Sequence, residues 1–202
     1  MSEKHLAFSS KTILFKYDPG SKLKQYFDLL EVENTKINLV SRETSRTDLE
    51  RLAAESLLPF ETIDSPSFEN YLDIGSGGGI PAFPIIMCLE IEKSTLVERT
   101  QKKAAALKRI SDQLGVPTKV SGGNFEDSKF DGKFDLVTLR LVKLTNQLLK
   151  KIAALLALNG IFIYYSEYND DSAKLSLSKT VYYYNTSQDT PPKNFSVFIK
   201  KS

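Results

Sequence analysis

The residues best suited to chemistry lie in Leu72-Asp73-Ile74-Gly75-Ser76-Gly77-Gly78-Gly79-Ile80-Pro81, an apolar run that turns through glycines into the start of a helix. Glycine tolerates φ > 0 and lets a ligand approach the main chain, and the unpaired N–H groups at a helix start attract a carboxylate or phosphate. Glu98 ends a second apolar run, where an acceptor would meet the two hydroxyls of a ribose. Together they call for a nucleoside-bearing ligand, and two cofactor classes use such a turn. A dinucleotide fingerprint, G-x-G-x-x-G, begun at Gly75 and Gly77 would need a third glycine where Ile80 stands; the spacing present is G-x-G-x-G, through Gly75, Gly77 and Gly79. After a third run, Glu126 and Asp127 in Gly123-Asn124-Phe125-Glu126-Asp127 stand where a main-chain N–H and a carboxylate could read an adenine edge.

Other chemistries lack their residues. His5 is the only histidine and falls in a terminus expected to be loose; Cys88 is the only cysteine and falls in an apolar helix expected to be buried. One of each cannot build a structural zinc site, no G-x-S-x-G elbow occurs, and no metal ligand is assigned. Arg140 closes the apolar strand Asp135 to Leu139, so its guanidinium must either pair with a local acid such as Glu126 or face a crevice at the strand ends. The basic run Arg99, Lys102, Lys103, Lys108, Arg109 reads as a solvated helix face or as a modest phosphate-facing patch. Tyr182, Tyr183 and Tyr184 read as a strand with alternating burial rather than a base-stacking surface.

The elements that must position these residues follow from periodicity. Leu23, Tyr26, Phe27 and Leu30 mark one face of a helix from Ser21 to Val32; Thr47 and Glu50 have capping-box spacing for a second, which Pro59 stops. From Asn70, short apolar runs alternate with helices, the pattern of βα units on a parallel sheet. Strands are expected at Tyr71 to Ile74, Ser94 to Glu98, Thr118 to Ser121, Phe134 to Leu139 and Ile161 to Tyr165. Helices are expected at Pro81 to Leu89, at Gln101 to Leu114 (ended by Gly115 and Pro117), and at Thr145 to Leu158. Val181 to Tyr184 and Phe195 to Lys200 form an antiparallel pair that finishes a seven-stranded sheet. The division is an N-terminal helical cap, 1–68, on a domain of 69–202, in one compact unit. The 202 residues, 41% hydrophobic and 26% charged, fit a folded domain with a full core and rule out fibrous or disordered classes. A net charge of +2 does not announce a nucleic-acid binder. The longest apolar run, Ile80 to Leu89, is too short to span a bilayer. Glu3 and Lys4 precede no signal-peptide core, and a lone cysteine fits the reducing cytoplasm.

The spacing Asp73, Gly75, Gly77, Gly79 resembles the first motif of class I S-adenosylmethionine-dependent methyltransferases. Leu72 to Pro84 (LDIGSGGGIPAFP), Leu96 to Leu107 (LVERTQKKAAAL), Gly123 to Asp127 (GNFED) and Asp135 to Leu141 (DLVTLRL) are similar to the successive motifs of the glucose-inhibited division protein B family, bacterial small-subunit ribosomal RNA guanine-N7 methyltransferases. Ile37 to Val40 resembles that family's N-L-T element and Glu55-Ser56-Leu57 its D-S-L; the prolines Pro81 and Pro84 are the most family-specific piece. The resemblance implies a Rossmann-like α/β sheet with a helical cap, S-adenosylmethionine as cofactor, and N7 of a guanine in 16S ribosomal RNA as acceptor. It implies further that Gly75 and the Ile80 main chain hold the methionyl end, that Glu98 takes the ribose, and that Phe125 and Glu126 take the adenine. Arg140, matching the arginine of the family's S-R-A element, would face cofactor and RNA together, and Lys102 and Lys103 fall at the family's basic helix start. Guanine N7 carries a lone pair and no proton, so the reaction needs no strong base, and this sequence offers none. No Asn/Asp-Pro-Pro-Tyr-like run, the mark of exocyclic-amine methylation, follows Thr138. Leu52, Asn124 and Ser166-Glu167 depart from the family's histidine, arginine and lysine, each removing a cation or donor from the RNA face. The alternative is therefore a cofactor- and RNA-binding homologue without catalysis. Expected partners are ribosomal RNA or the small ribosomal subunit, with no membrane, for a cytoplasmic monomer.

Overall fold

The structure, a computed structural model, describes residues 5–63, 68–89, 91–116, 118–168, 175–186 and 191–200. Glu3, Lys4 and Pro117 lie outside them. In chain order the elements are β1 (His5–Phe8), α1 (Ser10–Tyr17), α2 (Leu23–Asn34), α3 (Arg46–Leu57), β2 (Asn70–Ile74), α4 (Ala82–Cys88), β3 (Lys93–Glu98), α5 (Gln101–Leu114), β4 (Thr118–Gly122), β5 (Phe134–Leu139), α6 (Asn146–Leu155), β6 (Leu156–Tyr164), β7 (Ser176–Asn185) and β8 (Lys193–Ile199).

The strands form one sheet in the order β1-β7-β8-β6-β5-β2-β3-β4. From β6 to β4 every pairing is parallel, β8 is antiparallel to both β6 and β7, and β1 lies parallel to β7. The chain order of β2, β3 and β4 runs outward on one side of β2, and β5 and β6 run outward on the other. The order thus reverses at β2, and the carboxyl ends of β2, β3 and β5 meet there in a crevice, the usual ligand position on such a sheet.

Alternating side chains send the two faces of the sheet into two cores. Tyr71, Leu96, Leu136 and Ile163 pack with α2, α4 and α5 through Tyr26, Phe27, Leu30, Phe83, Leu107 and Ile110. Leu72, Val97, Val137 and Phe162 pack with α6 through Leu148, Leu149 and Ile152. A third cluster joins Phe8, Ile13, Leu57 and Leu58 to Tyr183, Phe195 and Val197. The N-terminal helices therefore share their cores with the sheet, and Tyr26 Oη donates to the Gly78 carbonyl at 2.9 Å.

Several expectations are corrected. The sheet has eight strands rather than seven, because the N-terminal segment opens with β1, whose four residues are too few to show a period of two. His5 accordingly sits in a strand, in register with Tyr182, and not in a loose terminus. The capping box of α3 is Ser45 with Asp48 rather than Thr47 with Glu50: Asp48 N–H donates to Ser45 Oγ at 3.1 Å and Ser45 N–H to Asp48 Oδ2 at 3.1 Å. α6 stops at Leu155 because Leu156 already pairs with Phe134 as the first residue of β6. Leu156 is buried either as a helix or as a strand residue, so the apolar spacing alone could not separate the two. α5 has the expected bounds, and Gly115 ends it in the left-handed conformation.

Candidate active site

β2 delivers the glycine turn to the crevice. Gly75 and Ser76 N–H groups donate to the Val97 carbonyl at 2.8 and 3.1 Å, so the turn folds back over the end of β3. Gly75 has φ 74°, and a Cβ there would meet Val142 Cγ2 at 2.6 Å. Only glycine therefore fits between the turn and the loop after β5. Gly79 has φ 91° and faces away from the crevice, where a Cβ would lie 2.3 Å from the Phe83 ring.

Glu98 closes the turn from the second strand. Its buried carboxylate accepts the Gly77 N–H at 3.0 Å on Oε2 and the Thr100 N–H at 2.8 Å on Oε1. A carboxylate offers about four lone-pair positions, so these two bonds orient it and leave capacity for two hydroxyl donors. At the root of the turn, Asp73 Oδ1 accepts from Thr138 Oγ1 at 2.5 Å, and the Tyr71 hydroxyl sits 2.6 Å from the same Oγ1. Asp73 Oδ2 is buried and has no hydrogen-bond partner among the described residues. Burial pushes this carboxyl up to about 6, against the pull of its hydrogen bonds and with a further push from Glu98.

The loop after β4 forms the far wall. Phe125 is buried in a short 3-10 turn, Phe125–Asp127, and Glu126 is exposed beside it. Lys151, on α6, fixes this turn: its ammonium donates to the carbonyls of Phe125, Glu126 and Ser128 at 2.6, 2.6 and 2.8 Å and lies 4.8 Å from the centre of the Phe125 ring. Sequence reasoning missed Lys151. It is one of two adjacent lysines, Lys150 and Lys151, on an amphipathic helix, and its partners lie some two dozen residues away.

Arg140 leaves the end of β5 for an acid other than the expected Glu126. Its Nη2 donates to Glu55 Oε2 at 2.9 Å, its Nη1 lies 3.4 Å from the Leu52 carbonyl, and its guanidinium covers the Tyr165 ring at 5.6 Å. Glu55 also receives Arg51 at 2.8 Å and Lys193 at 2.7 Å, so one carboxylate on α3 gathers three cations from α3, β5 and β8. Burial alone would raise the Glu55 carboxyl, but Arg140, Lys193 and Arg51 outweigh it and hold it below the usual range. The Arg140 side chain is 11% exposed and that of Glu55 3%, so the pair is buried and oriented.

These parts enclose a cavity of about 1360 Å³ at the carboxyl ends of β2, β3 and β5. Gly75, Gly77, Ile80, Glu98, Phe125, Glu126 and Arg140 all line it; Gly79 does not. Leu52 and Asn124 line it too, whereas Ser166 lies apart, its carbonyl accepting from Ser196. The basic run divides: Arg99 and Lys103 reach the cavity, but Lys108 pairs with Asp112 and Arg109 with Glu33. Cys88 is outside the cavity, and burial pushes its thiol up to about 12, far from a nucleophile's range. Tyr183 is buried between Phe8 and Phe195 while Tyr184 is exposed, the alternation expected of a strand.

The donor set fits a cationic nucleoside cofactor. A glycine cradle with no room for a Cβ, an oriented carboxylate at the end of β3 and a buried carboxylate oxygen beside the turn complement hydroxyl and ammonium donors.

Comparison with known proteins agrees. Residues 20–190 match the model of the GidB family, rRNA small subunit methyltransferase G. The ribosomal RNA small subunit methyltransferase G of Mycoplasmopsis pulmonis is 29% identical over 171 residues, covering 79% of this chain and 74% of that protein. That of Rhodopseudomonas palustris is 33% identical over 162 residues, covering 77% and 67%. That of Chlorobaculum tepidum is 33% identical over 141 residues, and this chain spans 65% of its length. Among solved structures, an O-methyltransferase from Bacillus cereus in complex with SAH superposes with a TM-score of 0.61 at 15% identity, covering 88% of this chain and 91% of that one. StiE O-MT superposes at 0.60 and 16% identity, covering 78% of each chain. At these identities the structures show the fold alone: the Rossmann-like sheet of class I methyltransferases, with a helical N-terminal segment that here also adds β1.

Proposed function

We propose, because this chain belongs to the GidB family of rRNA small subunit methyltransferase G proteins, that it binds S-adenosylmethionine in the cavity and methylates N7 of a guanine in small-subunit (16S) ribosomal RNA. The observation that carries this reading is the glycine turn joined to Glu98 through the Gly77 N–H, inside a cavity that also holds Phe125 and Arg140.

Bound S-adenosylmethionine supplies an electrophilic methyl group on a sulfonium. The protein has to align and shield the reactants, which in well-oriented systems accounts for about 7 to 11 kcal/mol of a barrier. Gly75, Gly77 and the main chain of Ile80 hold the methionyl end, Glu98 orients the ribose, and Phe125 with Glu126 frames the adenine. Gly79 shapes the turn from behind, through its contact with Phe83. Arg140, held by Glu55, presents a fixed positive edge to the cavity. No side chain has to remove a proton, because guanine N7 has none.

The reading extends to a monomer working in the cytoplasm on the small ribosomal subunit or its RNA. Light scattering tests the first point. No helix among the described residues is long and apolar enough to cross a membrane.

Labelled S-adenosylmethionine incubated with small ribosomal subunits and with their naked RNA is the direct test, with label expected on a guanine. Binding of S-adenosylhomocysteine without transfer to any RNA would favour the second reading, a homologue that binds but does not catalyse. Two observations support that alternative: Leu52 puts an apolar group on the cavity wall, and the Arg140 charge is already matched by Glu55.

A further inference from the structure

The loop that follows Arg140 holds a side chain that the fold itself does not use. Leu141 is 95% exposed, and its φ is 58°. The left-handed region strains any residue with a Cβ, and an uncovered leucine contributes nothing to burial. Both neighbours are fixed: Arg140 by Glu55 and the Leu52 carbonyl, Val142 against Gly75. One residue earlier, the Leu139 carbonyl accepts the Tyr165 N–H at 2.9 Å. The chain is therefore pinned on both sides of an apolar group that stands at the cavity's rim.

Of the cavity's other apolar lining groups, Val40, Leu52, Ile80 and Val142 are half-buried and the rest are buried. Among the described residues that line it, Phe125 is the only aromatic, and it is buried at the adenine wall beneath Lys151. Leu141 is the one lining residue that is both apolar and exposed. A guanine to be methylated must leave its stack, and enzymes that act on extruded bases replace the lost stacking with aromatic or apolar side chains. Packing against the ring face leaves the ring edge, with N7, free to point into the cavity.

We propose that Leu141 is the platform on which the acceptor guanine packs, and that the constrained loop Arg140-Leu141-Val142 sets the distance between that base and the cofactor. This rests on the RNA-guanine reading above. The test compares the protein with Leu141→Gly, which suits the left-handed backbone but removes the side chain, and with Leu141→Met, which restores an apolar surface. Three quantities are read: S-adenosylhomocysteine affinity by calorimetry, retention of small ribosomal subunits on filters in its presence, and label transfer. The expected result for Leu141→Gly is a melting temperature no lower than the parent's and cofactor affinity within about twofold. Subunit binding should weaken at least about threefold and kcat/KM for subunits should fall at least about tenfold, with Leu141→Met back to within about threefold of the parent. Parent-like transfer and retention by Leu141→Gly, or a loss explained by a drop in melting temperature, would overturn the proposal. If the parent protein retains subunits but transfers no label, methylation fails as its function, and the retention ratio alone decides Leu141. If it neither retains nor methylates them, both readings fall.

Discussion

Glu55 and Arg140 stand 85 positions apart and meet at 2.9 Å in a buried pair. Removing the arginine leaves Glu55 with Arg51 and Lys193, so Arg140→Ala keeps its fold while methyl transfer falls at least about tenfold, equivalent to about 1.4 kcal/mol. Glu55→Gln takes the shared anion from three cations, and its chemical unfolding should show a loss of about 3 kcal/mol or more. Equal losses in the two variants would show that the cluster does not depend on its acid. Gly75→Val drives a branched side chain into the space of Val142 and also demands a left-handed backbone, so calorimetry should show no S-adenosylhomocysteine binding. Asp73 is the pH-sensitive group. Burial raises its carboxyl from 3.8 to about 6, so the proton favours the folded chain. That contribution is fully present below about pH 4 and is lost as pH rises through 6, a difference of about 3 kcal/mol. The stability of the parent relative to Asp73→Asn should therefore improve as pH is lowered from about 7.5 to about 5; parallel pH profiles would refute the assignment.

At the scale of elements, Lys151 ties α6 to the Phe125 turn through three carbonyls. Lys151→Met keeps the stem and removes the donors, so S-adenosylhomocysteine should bind at least about fivefold more weakly, with a melting loss in the range of about 1 to 3 kcal/mol for unpaired acceptors. Unchanged affinity would separate that turn from the cofactor. This contact also marks how far the sequence could be read. α5 was legible to the residue because its basic outer face, apolar stripe and Gly115 stop agree with one another. The glycine turn and Glu98 were legible because local spacing creates them. β7 was read only over its aromatic half, since Ser176 to Thr180 carry little strand signal, and Lys151, β1 and the acid that holds Arg140 depend on contacts made by distant parts of the chain. No spacing encodes those contacts.

For the whole molecule, the cavity lies at the end of β5, whose two faces enter different cores, Leu136 one and Val137 with Leu139 the other. The α3 helix belongs to the third core through Ala54 and Leu57, yet its Glu55 sets Arg140 at the cavity wall. Deleting residues 1–9 should expose the β7 edge and loosen this third core, seen as a lower melting temperature and as larger particles in light scattering. Unchanged melting would show that β1 is ornamental to the fold. The place of β1 beside β7 also has a consequence in time. Its partners begin at Tyr182, 177 positions after His5, and β7 itself needs β8 as its inner neighbour. At roughly 5 to 20 residues per second, the opening strand waits about ten to forty seconds for a place in the sheet. Throughout that interval β1 has no neighbour in the sheet, so the arrival of β7 and β8, rather than local helix formation, sets the moment at which this edge of the sheet can close.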